Sequence, residues 1–167
     1  MKNTLFDNEA TRTALANRLF FRLYQCANML HKTGTRAIEA HGLTTQQWAV
    51  LGALSRPQVD AGMKLGDLAR YLMVSRQNLS GVVGRLERDG HVTSIPDPND
   101  RRSRLIRMTG SGREVWQVHA VPLIAEYYEA ALEGFGVNDI VHTVHYLLRI
   151  LENMRRLDGA GDDAGEA

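Results

Sequence analysis

Two short helices separated by a tight turn are predicted for residues 65–90, which read LGDLARYLMVSRQNLSGVVGRLERDG. The turn falls at Met73 and Val74, and Ser75 is suited to cap the helix that follows. Apolar residues of that second helix recur at the spacing of a buried stripe: Leu79, Val82, Val83 and Leu86. The opposite face is therefore expected to be exposed. It carries Gln77, Asn78, Gly81, Gly84, Arg85 and Arg88.

A hairpin with a charged tip is predicted directly after these helices. Residues 91–95 and 104–108 have strand-like composition, and the segment between them, 96–103, reads PDPNDRRS. Two helices, a tight turn and a two-stranded hairpin in this order form the pattern of a winged helix-turn-helix.

Longer helices are predicted on both sides of this lobe. Residues 11–40 carry an amphipathic stripe that stops near Gly42. A second helix is expected to start with Thr44 as its N-cap and Gln47 as its capping-box partner, with Leu43 packing on Trp48.

After the hairpin we expect a long helix over 109–133, kinked or interrupted at Pro122, and another that Asn138 caps. The predicted fold is therefore mainly α with a small β-hairpin, in a single domain over 1–157. A winged lobe at about 43–109 lies between long helices at about 11–40 and 112–157, and 158–167 is expected to be a disordered tail.

Composition favours a soluble cytoplasmic protein. The chain has 167 residues and one cysteine, Cys26, so an intramolecular disulfide is impossible. The first residues lack the apolar core of a signal peptide, and no apolar run is long enough for a membrane span.

Charge is unevenly distributed along the chain. The net charge is only +1, but residues 70–113 contain nine arginines and four acids, a local charge of +5. A positive segment within a mildly acidic protein is typical of a surface that meets phosphate.

Signatures of catalysis are missing from the sequence, which predicts that the protein is not an enzyme and needs no cofactor or metal. There is no His-Glu-x-x-His, Gly-x-Ser-x-Gly, cysteine pair or phosphate-binding loop. His142 and His145 share a helix face and leave a metal at a dimer interface as a minor alternative, although zinc usually takes further ligands.

Several motifs in one order resemble the multiple antibiotic resistance regulator (MarR) family over about residues 11–157. They are LAR at 68–70, SRQNLS at 75–80, VGRLERDG at 83–90, DPNDRRS at 97–103 and MTGSGR at 108–113. The resemblance implies a homodimeric DNA-binding transcriptional regulator, with repression as the usual mode of action. The apolar stripes of the long helices also favour a second copy as partner, and two lobes related by a dyad predict an inverted-repeat operator.

The candidate DNA-binding residues lie on the second short helix and the hairpin. They are Ser75, Arg76, Gln77, Asn78, Ser80, Gly81, Arg85, Asp100, Arg101, Arg102 and Arg104. Ser75 at a helix N-terminus suits a phosphate, and the arginines and amides suit phosphates or base edges. Gly81 and Gly84 indicate either a close approach to the groove or incidental small residues. The resemblance implies that Asp100 holds Arg102 in position at the hairpin tip.

A small-molecule effector is also implied by the resemblance, and local similarity to repressors of aromatic-acid breakdown suggests an aromatic acid or its coenzyme A thioester. His31, Arg36 and Trp48 are the candidate ligand-binding residues. Each has a structural alternative: a plain helix residue for His31, a surface ion pair for Arg36 and the packing role for Trp48. Two other functions stay open, a redox switch at Cys26, which is more simply a buried apolar residue, and a lobe that binds only proteins.

Overall fold

The structure is a computed structural model that describes residues 4–162. The helices are α1 (Thr4–Ile38), α2 (Thr45–Leu54), α3 (Leu65–Leu72), α4 (Arg76–Arg88), α5 (Gly110–Glu114), α6 (Val121–Ala131) and α7 (Val137–Asp162). The strands are β1 (Met63–Lys64), β2 (Val92–Asp97) and β3 (Asp100–Met108). The described residues form two compact units that divide after Tyr127, within α6, where the sequence predicted one domain. In the described part of the chain, no helix is long and apolar enough to cross a membrane.

The core of the first unit lies where α2, α3 and α4 pack against the sheet. The predicted stripe of α4 is buried in full: Leu79, Val82, Val83 and Leu86. Leu51 and Leu68 join it with no exposed surface. Burial of this stripe determines which face of α4 is left for solvent.

The start of α2 confirms the predicted capping box. The Thr44 hydroxyl accepts the N–H of Gln47, and Gln47 Oε1 accepts the N–H of Thr44 at 2.9 Å. Gln47 is only 3% exposed, so this hydrogen bond satisfies a buried polar group. Leu43 is buried and Trp48 is half-buried against the core.

The sheet is larger than the predicted hairpin. It has three antiparallel strands in the order β1-β3-β2, and the two-residue β1 pairs Met63 with Ile106. A strand of two residues gives no alternation for sequence analysis to detect. The hairpin turn is also tighter than predicted, because β2 and β3 extend to Asp97 and Asp100 and leave only Pro98 and Asn99 between them.

The helix predicted over 109–133 is interrupted and ends earlier. A π-helical turn, Val115–Ala120, separates α5 from α6, and α6 ends at Ala131. The interruption lies just before Pro122, which has no N–H to donate to the preceding turn.

In the second unit, α7 starts at Val137 and not with Asn138 as its cap. Asp139 accepts the N–H of Gly136 at 2.8 Å and so closes the first turn. The helix continues to Asp162, so 158–162 is helical where a disordered tail was predicted. The rest of that predicted tail, 163–167, lies outside the described residues.

Candidate DNA-binding surface and effector cavity

A left-handed residue forms the turn between α3 and α4. Met73 has φ 56° and ψ 41°, and its N–H together with that of Val74 bonds back to the last carbonyls of α3. Glycine is the usual residue in this conformation, so Met73 is a departure from local preference. Ser75 then begins α4, and its hydroxyl accepts the N–H of Asn78 at 3.2 Å, which confirms the predicted cap.

The exposed face of α4 brings the predicted contact residues together. All are exposed: Ser75, Arg76, Gln77, Asn78, Ser80, Gly81 and Arg85. Gly84 and Arg88 are exposed on the same helix. A Cβ built at Gly84 meets no atom, and one at Gly81 meets only the Arg85 side chain at 3.9 Å. Packing within the protein therefore does not require either glycine.

Arg76 and Arg104 line one groove of about 510 Å³ beside the start of α3. The Arg76 guanidinium lies so close to Gly66 that a Cβ there would be 2.9 Å from it. Arg104 donates from Nε to the Ser94 hydroxyl at 2.8 Å and from Nη2 to the Ser94 carbonyl. The Arg104 side chain lies against β2 in the middle of the hairpin and does not extend from its tip.

Asp100 holds the hairpin tip through the backbone. Its Oδ1 accepts the backbone N–H of Arg102 at 3.1 Å, and no ion pair between this carboxylate and the Arg102 guanidinium is found among the described residues. The Arg102 side chain is exposed, and that of Arg101 lies outside the described residues. The Asp100 carboxylate thus fixes the backbone of the strand that carries Arg102, and not the Arg102 side chain.

Lys64 is a residue that sequence analysis missed. Its ammonium lies 3.2 Å from Asp97 Oδ2 and 3.5 Å from Asp100 Oδ2. The hydrogen bond to Asp97 is the largest influence that raises the pKa of Lys64 above its ordinary value. The one available signal was a lysine at a helix N-cap position, where a short polar residue is preferred.

The carboxylates around Lys64 are kept charged by hydrogen bonds. The N–H of Asn99 lowers the pKa of Asp97 most, followed by the hydrogen bonds from Lys64 and from the Ser103 hydroxyl. The pKa of Asp100 is lowered mainly by the backbone N–H of Arg102 and also by Lys64. Both carboxylates are therefore ionised at neutral pH.

A cavity of about 270 Å³ lies between α1, α2 and α4. Its apolar lining comes from Ala27, Leu30, Ala49, Val50, Leu72, Val74, Leu79 and Val82, and its polar lining from His31, Thr45, Gln46 and Asn78. Of the predicted ligand-binding residues, His31 lines this cavity. Arg36 is exposed elsewhere on α1, and Trp48 packs edge-on against Tyr127 with ring centroids 6.1 Å apart.

Hydrogen bonds join α1 to α2 at the edge of this cavity. The Thr45 hydroxyl donates to the His31 carbonyl at 3.0 Å, and the Thr45 N–H donates to the Thr35 hydroxyl at 3.1 Å. These bonds fix the His31 backbone against the start of α2.

The remaining candidate residues are on helix surfaces. Cys26 is exposed on α1, so its interpretation as a buried apolar residue is wrong. His142 and His145 are exposed on α7, and no group of three metal-ligating side chains is found in the part of the chain that the structure describes.

Large apolar side chains are exposed on both long helices. On α1 they are Leu15, Leu19, Phe20, Phe21, Tyr24, Met29 and Leu30. On α7 they are Val137, Val141, Val144, Tyr146, Leu147, Leu148, Met154 and Leu157. Apolar surface of this extent is typical of an interface.

Comparison with known proteins identifies the family. Residues 41–103 match the MarR family model. The chain is 68% identical over 166 residues to the transcriptional activatory protein BadR of Rhodopseudomonas palustris, which covers 98% of this chain and 95% of that protein. It is 30% identical to the homoprotocatechuate degradative operon repressor of Escherichia coli, over 75% of this chain and 84% of the repressor. The crystal structure of CouR from Rhodococcus jostii RHA1 bound to p-coumaroyl-CoA superposes with a TM-score of 0.68 and 25% identity, covering 82% of this chain and 93% of CouR. The chain therefore belongs to the MarR family of winged-helix, DNA-binding transcriptional regulators.

Proposed function

We propose that the protein is a ligand-responsive regulator that binds an inverted-repeat operator as a homodimer and responds to an aromatic acid or its coenzyme A thioester. One observation carries this proposal: the cavity beside His31 is lined in part by Asn78, Leu79 and Val82 of α4. That helix also carries the exposed candidate DNA contacts. A ligand in this cavity would touch the DNA-binding helix itself.

On DNA, the exposed face of α4 enters the major groove. Gln77, Asn78 and Arg85 have the donors and acceptors that base edges require, while Ser75 and Arg76 contact phosphates. Ser80 and Gly81 lie on the same exposed side and allow close approach.

The hairpin, or wing, contacts the adjacent backbone and minor groove. Arg101 and Arg102 at its tip enter the minor groove, where negative potential is deepest, and Asp100 orients their strand. Arg104, held on Ser94 in the groove beside Arg76, contacts a phosphate.

A second copy of the chain covers the exposed apolar residues of α1 and α7. Leaving side chains such as Phe21 and Leu148 about 60% exposed to water is unfavourable for a monomer. Two lobes related by a dyad then contact half-sites about one helical turn, roughly 10 base pairs, apart.

The cavity suits the ring of an aromatic acyl group. A dry, apolar cavity of about 150 Å³ is enough for benzene, and this one, at about 270 Å³, adds polar groups on His31, Gln46 and Asn78. The nucleotide part of a coenzyme A thioester is too large for this volume and would extend outside it. The p-coumaroyl-CoA bound to CouR and the aromatic-acid operon controlled by the 30%-identical repressor both favour this ligand class.

Activation is the direction of control that the 68%-identical relative favours. The family resemblance implied repression, but the relative that is 68% identical over 98% of this chain is named an activatory protein. Repression stays the second candidate, because the 30%-identical relative is named a repressor. The position of the operator relative to the promoter determines which applies.

An electrophoretic mobility shift on the DNA upstream of its own gene tests the proposal. We expect a specific complex of one dimer with DNA that persists in excess nonspecific DNA. Micromolar aromatic acid or its thioester should change this complex, whereas unrelated acids should not. A promoter-reporter strain with and without the gene then gives the sign of control. Failure to shift this DNA, followed by failure of a randomised-sequence selection, would favour a lobe that binds only proteins.

Because Cys26 is exposed, a redox response is an alternative to a ligand response. The matched test compares peroxide sensitivity of DNA binding in the wild type and Cys26→Ser. Equal sensitivity in both proteins would remove the cysteine from the mechanism.

A further inference from the structure

Lys64 occupies an unusual place at the junction of β1 and α3. It is the N-cap residue of α3, yet its side chain makes no capping hydrogen bond. Serine, threonine, aspartate and asparagine are the residues preferred at such a position, because their side chains accept a hydrogen bond from the first turn. The lysine is therefore not explained by the helix that it begins.

The ammonium of Lys64 reaches the wing. It lies 3.2 Å from Asp97 and 3.5 Å from Asp100, which are paired across the hairpin on either side of the two-residue turn. Asp97 is only 5% exposed and also accepts hydrogen bonds from the Asn99 N–H and the Ser103 hydroxyl. One side chain thus links the start of the helix-turn-helix to both ends of the wing turn.

Two carboxylates of the protein itself interact with the charge of Lys64. Both of its partners are carboxylates, which are paired across the hairpin and would otherwise repel each other. Like charges directly opposite each other on antiparallel strands are destabilising. Lys64 offsets this repulsion and so fixes the direction of the wing relative to the start of α3.

We propose that Lys64 is a positioning residue for DNA recognition, which holds the wing against the helix-turn-helix without contacting DNA itself. This inference rests on the proposed use of the wing on DNA. It differs from a direct phosphate contact, in which the lysine would leave Asp97 and Asp100 for the DNA backbone.

Salt dependence separates the two roles. Removing a side chain that binds one phosphate reduces the slope of log K against log salt by about 1, whereas removing a positioning residue lowers K at every salt concentration and leaves the slope unchanged. We would measure the affinity of the full-length protein for its selected operator by fluorescence anisotropy, from about 50 to 200 mM salt.

The variants are Lys64→Met, Lys64→Gln, Lys64→Arg, Arg102→Gln and Lys32→Met. We expect Lys64→Met to bind about tenfold more weakly with an unchanged slope, and Lys64→Arg to restore most of the affinity. Lys32, an exposed lysine on α1, is the matched control for loss of one positive charge and should bind as the wild type does. Arg102→Gln should weaken binding and reduce the slope.

Asp100→Asn in the Lys64→Met background provides a second measurement. Removing one carboxylate should recover part of the lost affinity, because the uncompensated charge is smaller, and the two changes should be non-additive. Full additivity would contradict the proposed coupling.

Three results would overturn the inference. Unchanged affinity in Lys64→Met would show that Lys64 has no role in DNA binding. An equal drop in slope for Lys64→Met and Arg102→Gln would make Lys64 a phosphate ligand. Unfolding of both Lys64→Met and Lys64→Gln would make Lys64 a purely structural residue. Failure of the wild type to bind, or an Arg102→Gln variant that binds normally, would instead contradict the proposed function of the wing.

Discussion

His31 on α1 and Asn78 on α4 line the same cavity. Asn78 also lies in the first turn of α4, where its N–H donates to the capping hydroxyl of Ser75. A ligand that contacts both residues is therefore within one helical turn of the end of α4 that we propose to meet phosphate. An effector bound in this cavity would therefore act directly on the proposed DNA-binding helix, with no need for a long relay of side chains.

Filling the cavity should remove the effector response. In Ala49→Phe, the new ring occupies the space of an aromatic ligand between α1, α2 and α4. We expect the effector to lose at least tenfold in potency against the DNA complex in a mobility shift. Ala40→Phe adds the same ring to an exposed alanine outside the cavity and is the control. Equal effector potency in both variants would contradict the assignment of the cavity.

Gly112 should be intolerant of any side chain. A Cβ at this position would lie 1.9 Å from the carbonyl oxygen of His91, which also accepts the N–H of Thr109 at 3.0 Å. Because that neighbour is hydrogen-bonded backbone, we expect Gly112→Ala to lower the free energy of unfolding by about 2–4 kcal/mol in urea titrations.

Gly110, in the same helix, is the matched control for Gly112. A Cβ there meets no atom, so Gly110→Ala should leave the free energy of unfolding unchanged or raise it by about 0.5 kcal/mol. Similar losses in the two variants would show that helix propensity, and not the contact with His91, controls both positions.

Gly81→Ala should separate stability from function. Since a Cβ at Gly81 meets only Arg85 at 3.9 Å, the substitution should stabilise α4 by about 0.5–1 kcal/mol in thermal unfolding. If the helix approaches the groove closely at this point, operator affinity should fall by about tenfold in the same protein. A stabilised variant with wild-type affinity would support the interpretation of Gly81 as an incidental small residue.

Local patterns made the prediction of the exposed face of α4 accurate. The hydroxyls of Ser75 and Thr44 each accept a hydrogen bond from the backbone N–H three residues later. The buried stripe of α4 fixes the exposed face of the same helix by helical geometry. These features depend on neighbouring residues, so the sequence alone was sufficient to place Arg76, Gln77 and Asn78 on the exposed side of α4.

Contacts between distant residues could not be predicted in the same way. Lys64 meets Asp100 across 36 positions of sequence, and Arg104 bonds to Ser94 only once the strand register is set. Trp48 has the same apolar pattern whether it lines a cavity or packs on Tyr127, and only the tertiary structure distinguishes the two. The burial of Asp97 beside the wing turn could not be predicted either, because its charge would not suggest it.

The stabilisation that Lys64 gives the wing should be independent of pH across the neutral range. The pKa values of Asp97 and Asp100 are lowered from 3.8, so their contribution is present above that pH and is lost as the pH falls through the lower folded values. The pKa of Lys64 is raised from 10.5, so its contribution is present below that pH and is lost only above it.

The difference in unfolding midpoint between the wild type and Lys64→Met should therefore be constant from about pH 5 to 9 and should shrink as the pH falls below about 4. Urea unfolding of both proteins at fixed ionic strength measures this difference in midpoint. Lys32→Met is the charge-matched control and should have the same unfolding midpoint as the wild type. A difference that changes between about pH 6 and 7 would implicate a histidine instead.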